Sequence, residues 1–107
     1  MDKSSGAFGK AMNPTVVGVL HLRLDVVQAS TLKDKRQVIK SFKDRLHHAF
    51  NVSVAEVDHL DHHRLAVLAM AMVSNDHAYV EGALQKIASQ AAMHRDMVLL
   101  ESRVEWL

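Results

Sequence analysis

Between residues 15 and 106 the apolar residues keep two rhythms in turn, and the order of those rhythms limits the fold to one family of architectures. Residues 15–26, TVVGVLHLRLDV, alternate with a period of two: Gly18, Leu20, Leu22 and Leu24 share one face of a strand, and Val17, Val19, His21 and Arg23 share the other. Over residues 32–50 the rhythm changes to that of a helix, with Val38, Ile39, Phe42, Leu46, Ala49 and Phe50 on a single stripe. Thr31, followed three residues later by Asp34, resembles a capping box at the start of that helix. A second strand is expected from Asn51 to Asp58, then a polar turn, DHLDHH, over residues 58–63. RLAVLAMAMV, residues 64–73, is apolar on both alternating sets and predicts a strand buried on both faces. Ser74 or Asn75 is the expected cap of a second helix, with Asp76 in its first turn, and Val80, Ala83, Leu84, Ile87 and Ala91 are its apolar stripe. Residues 97–106, MVLLESRVEW, predict the last strand.

The resulting order, βαββαβ, predicts an α+β, ferredoxin-like domain: a four-stranded antiparallel sheet with two helices on one face. A chain of 107 residues has room for one such core. It is expected over residues 15–107, behind a flexible N-terminal tail, residues 1–14, that is rich in Gly, Ser and Lys. The chain has no cysteine, so disulfides, thiol catalysis and cysteine metal ligands are excluded. It has no apolar run long enough to cross a bilayer and no secretory leader pattern, from which a soluble, cytoplasmic protein without a membrane partner is expected.

Two helices cover one side of such a sheet. The open side carries Val17, Val19, His21 and Arg23 from the first strand. From the third it carries either Leu65, Val67, Ala69, Ala71 and Val73, or Ala66, Leu68, Met70 and Met72; alternation alone does not choose. Both sets are apolar, so an apolar row faces away from the helices and predicts self-association, a homodimer or higher oligomer, through the open face. A small ligand held there at a dimer interface is the alternative. RNA stacking on that face is disfavoured, because Trp106 is the only aromatic residue in an expected strand.

The first helix carries a concentration of charge that the average conceals. Residues 32–50 hold six Lys or Arg and two Asp, a balance of +4, whereas the whole chain is +1 and the remainder therefore −3. Lys33, Arg36, Lys40, Lys43 and His47 fall on one flank beside the apolar stripe, and Lys35 projects from a different side. Lys33, Lys35 and Arg36 stand in the first turn, where the helix dipole disfavours a cation by about 0.3–1 kcal/mol each. A solvated face, with a weak surface pair between Lys40 and Asp44, accounts for the stripe in one reading. In the other, Lys33, Lys35, Arg36, Lys40 and Lys43 bind nucleic-acid phosphate, assisted by the helix N-terminus.

Other candidate sites are weaker. Asp58, His59, Asp61, His62 and His63 are potential zinc ligands, but their spacing fits no helical pair or finger pattern, and no metal or other cofactor is expected. No nucleophile motif, glycine-rich phosphate loop or carboxylate pair is present, so no catalytic residue is assigned. Glu56 is expected to be half-buried against a Lys or Arg.

Three strings, STLKDKR (30–36), FNVSVAEV (50–57) and VSND (73–76), occur in that order on the βαββαβ frame. Together they resemble the YlxP-like family, small bacterial proteins of undefined molecular function. The resemblance implies a ferredoxin-like fold and, through a frequent gene neighbourhood with translation-initiation and ribosome-maturation factors, association with RNA or a ribosomal subunit. The family pattern falls on Ser30, Leu32, Lys33, Lys35 and Arg36, and on Phe50 through Glu56. The His-rich turn and the Ala- and Met-rich third strand depart from it. The expected function is a non-enzymatic binding module, an accessory to translation or ribosome maturation. The alternatives are a small-molecule-sensing domain and a metal-dependent enzyme built on the His-rich turn.

Overall fold

The structure, a computed structural model, describes residues 14–107. The tail expected over residues 1–14 thus lies almost wholly outside the described residues. The elements are β1 (Val16–Asp25), α1 (Leu32–Ala49), β2 (Ser53–Asp58), β3 (Leu65–Ser74), α2 (His77–Ala92) and β4 (Val98–Trp106). The strands form one antiparallel sheet in the order β2-β3-β1-β4, the ferredoxin-like arrangement expected from the sequence.

The register of β3 is settled by its pairing with β1. Leu20 lies opposite Met70 and Leu22 opposite Leu68, so the inward row of β1 faces the inward row of β3. Ala66, Leu68, Met70 and Met72 are buried with Leu20, Leu22 and Leu24 beneath the helices. The smaller set, Leu65, Val67, Ala69, Ala71 and Val73, takes the open face. The bulkier side chains thus go where two helices can surround them. From α1 the core receives Ile39, Phe42 and Leu46; from α2 it receives Val80, Leu84, Ile87 and Ala91. Full burial of a Leu or Phe contributes about 1.5–3 kcal/mol.

The start of the second helix differs from expectation. β3 continues to Ser74, opposite Val16, so neither Ser74 nor Asn75 is the cap. Asp76 caps instead, accepting from the Tyr79 N–H at 3.3 Å, and the helix starts at His77. At this same end of the sheet, Trp106 packs on His77 with ring centroids 3.9 Å apart and lies over Gly18. A Cβ at Gly18 would stand 2.8 Å from the Trp106 ring and 2.9 Å from Val80, so only glycine allows this approach.

The two edge strands are unlike. β2 is short and bulged between Glu56 and Asp58. β4 is longer, bulged once between the partners of Arg23 and Leu24, and almost wholly exposed. No described helix is long and apolar enough to cross a membrane.

Candidate nucleic-acid interface

The start of α1 forms from local hydrogen bonds that precede any tertiary contact. The Thr31 hydroxyl accepts from the Asp34 N–H at 3.1 Å, and Asp34 Oδ2 accepts from the Thr31 N–H at 3.2 Å, completing the capping box. The same carboxylate accepts from the Ser30 N–H and hydroxyl at 3.1 and 3.2 Å. These donors, the Ser30 N–H foremost, hold the Asp34 carboxyl below its ordinary pKa. Asp34 is therefore anionic at the positive end of the helix, beside the cations that the dipole disfavours.

The structure divides the five candidate cations. Lys33, Arg36 and Lys40 are exposed and Lys43 is half-buried on one flank of α1. Lys40 donates to Asp44 at 2.9 Å, an exposed pair one helical turn apart, and this bond draws the Asp44 carboxyl to a lower pKa. Such an exposed, solvent-screened pair contributes little and opens readily. Among the described residues, Lys33, Arg36 and Lys43 make no ion pair.

Lys35 must be taken out of the set. Its side chain is fully buried, and its ammonium donates to Glu56 Oε2 at 2.7 Å, to the His59 carbonyl at 2.8 Å and to the Leu65 carbonyl at 2.9 Å. All three ammonium hydrogens are used, so none remains for an external anion. Glu56 is the half-buried carboxylate expected to find a Lys or Arg, and Lys35 is that partner. The helical phase carries the signal: Lys35 stands four, seven and eleven residues before Ile39, Phe42 and Leu46, on the core stripe. The ammonium ties α1 to β2, to the following turn and to the first residue of β3. His59 aims its carbonyl at Lys35 from the left-handed region, with φ 58°.

The rest of the His-rich turn is used by the chain itself. His62 Nδ1 accepts from the N–H groups of Arg64 and Leu65, each at 3.0 Å, and its ring stacks on His63 at 5.1 Å. Among the described residues, no group of three or more His, Asp or Glu is placed to hold a metal ion. Arg64 closes the turn with two bonds to Asp25, at 2.9 and 2.6 Å, which raise the guanidinium pKa.

Two concavities lie away from the basic flank. One, of about 530 Å³, runs between α1 and the segment after α2 and is lined by Val38, Ser41, Arg45, His94, Arg95 and Asp96, among others. His94 sits edge-on to Phe42, accepts from the Asp96 N–H at 3.0 Å, and has its pKa lowered by burial and then by Arg45. The other, of about 230 Å³, lies on the open sheet face among His21, Arg23, Asp58, Val67, Glu101 and Arg103. There Arg23 pairs with Glu101 at 3.1 Å, and His21 Nδ1 is buried without a partner among the described residues.

Architecture and surface define a small α+β domain of the ferredoxin-like class with an exposed cationic helix flank and a helix-free sheet face on which an apolar row from β3 adjoins the Arg23–Glu101 pair. Residues 17–104 match the family described as "Protein of unknown function (DUF503)", and the chain belongs to that family. It is similar to "Uncharacterized protein YlxP" of Bacillus subtilis (strain 168), 26% identical over 91 residues that cover 85% of this chain and 99% of that protein. Among solved structures it is similar to "De novo designed protein Foldit4", with a TM-score of 0.52, 17% identity, and coverage of 88% of this chain and 97% of the other. That likeness is one of fold alone.

Proposed function

We propose that this protein is a non-enzymatic binding module that docks on RNA phosphate through Lys33, Arg36, Lys40 and Lys43. The observation that carries the reading is the state of Lys33 and Arg36. Both are exposed, neither has a carboxylate partner among the described residues, and Lys33 stands in the first turn, where the dipole opposes it, with Arg36 just beyond. Residues kept against local electrostatics are accounted for by an anion from outside. The resemblance to YlxP-like proteins, with the ribosomal setting it implies, favours RNA over other polyanions.

The test is binding of ribosomal RNA fragments, followed by fluorescence anisotropy across a salt series. With four phosphate contacts, log K falls against log salt with a slope of about −3. Reversing Lys33 and Arg36 together to Glu removes binding. The same change leaves folding stability equal or raises it by up to about 1 kcal/mol per residue, because carboxylates suit that end of the helix. Salt-insensitive binding, or binding that survives the reversal, overturns the reading.

A further inference from the structure

We infer that the exposed edge of β4 pairs, antiparallel about a two-fold axis at Ser102, with β4 of a second copy of this chain. This inference is independent of the RNA reading. β4 is last in the strand order, and among the described residues no element pairs with its outer edge. Its side chains leave an apolar margin: Val98, Leu100, Val104 and Trp106 are each 38–46% exposed. A long edge of this kind is normally blunted or paired.

The ladder decides which backbone groups are free. The Leu107 N–H donates to the Val17 carbonyl at 3.0 Å, in step with the register that sets Glu105 opposite Val19, Arg103 opposite His21 and Glu101 opposite Arg23. Hydrogen-bonded positions alternate along an antiparallel strand, so these odd-numbered residues bond inward to β1. Ser102, Val104 and Trp106 point their N–H and C=O outward. A two-fold pairing therefore has few registers.

Charge selects among them. An axis at Arg103 sets Glu101 against Glu105 of the second copy, like against like. An axis at Val104 sets Arg103 opposite Glu105 but overlaps residues 101–107 alone and leaves Glu101 opposite the terminal Leu107. An axis at Ser102 overlaps residues 98–106 and sets Glu101 opposite Arg103 in both directions, with the bulge at Leu100 lying beyond those charged pairs. It also supplies what one chain lacks. Arg103 makes no ion pair among the described residues, while Glu101, already bonded to Arg23, would lie between two arginines on one face of an eight-stranded sheet.

The test is the mass in solution of the full chain, measured by size-exclusion chromatography with light scattering. Wild type runs as a dimer. Glu101→Arg and Arg103→Glu each run as monomers, because each sets like charges together twice. Mixing the two variants restores a dimer that holds one copy of each, read by native mass spectrometry, because every contact is again between opposite charges. Circular dichroism of each variant separates dissociation from unfolding, and the rescue itself requires both chains to be folded. A monomeric wild type, or a mixture that stays monomeric, overturns the pairing. A dimer that survives both single reversals also overturns it and assigns self-association to the open sheet face.

Discussion

Replacing Lys35 with methionine keeps the length of the apolar stem and removes its ammonium. In the native structure that ammonium is fully buried and bonds to three acceptors at 2.7, 2.8 and 2.9 Å. Without it, the Glu56 carboxylate, only 14% exposed, loses its counter-charge, and the carbonyls of His59 and Leu65 lose a donor. A stranded buried acceptor costs about 1–3 kcal/mol, and a broken buried ion pair about 3–5 kcal/mol in all. Total stability for a domain of this size is about 5–15 kcal/mol, so the loss is a large part of the whole. Urea unfolding followed by circular dichroism, with Trp106 fluorescence as a second probe, reads the effect. At a slope of roughly 1.5 kcal/mol per molar, the midpoint falls by about 2–3 M.

The double variant Lys35→Met with Glu56→Leu sharpens the test. An apolar pair of similar volume often replaces a buried ion pair at little cost, so the double variant is more stable than the sum of the single losses requires. The Leu65 carbonyl still lacks its Lys35 donor, which keeps it below wild type, while the His59 carbonyl retains the His62 N–H at 3.0 Å. A Lys35→Met protein within about 1 kcal/mol of wild type, or a strictly additive double variant, refutes the clamp. Retained RNA affinity in folded Lys35→Met protein is expected as well, since that ammonium never reaches the surface.

Gly18→Ala puts a methyl group 2.8 Å from the Trp106 ring and 2.9 Å from Val80, and overpacking of this kind costs about 1–3 kcal/mol; a lower melting temperature and a shifted Trp106 emission report it. His59→Val forces a β-branched residue into the left-handed region and loses about 1–2 kcal/mol in the same urea assay, whereas His59→Asn is close to neutral. The lowered pKa of His94 means that the unfolded chain takes up its proton first as pH falls. Stability from this group is complete above the ordinary histidine pKa, near about 6.5, and declines as pH drops through it; His94→Gln flattens that part of a stability-versus-pH profile.

Most of the fold is legible in the spacing of apolar residues, because burial on one face imposes a period that few other pressures produce. β1 and α1 are the clearest cases: Leu20, Leu22 and Leu24, then Ile39, Phe42 and Leu46, are both the predicted and the observed core. β3 resists this logic because both of its faces are apolar; only its pairing with β1 and the greater volume of Leu68, Met70 and Met72 put one row inward. The cap of α2 was displaced because Ser74 could serve either a strand or a helix start, and a ladder partner at Val16 decided the matter. Neither bulge has a local signature.

The charges on α1 separate what composition reveals from what phase reveals. Counting lysines makes Lys33, Lys35 and Arg36 equivalent, three cations at the wrong end of a helix. Helical phase sets Lys35 on the core stripe with Ile39 and Phe42, and a lysine there needs acceptors waiting for it. Glu56 on β2 is one. The other two are carbonyls of the turn and of β3, groups that every residue owns and that no side-chain pattern announces. The destination of Lys35 therefore became visible only in three dimensions. Its burial narrows the electrostatic question to Lys33 and Arg36, which make no ion pair among the described residues.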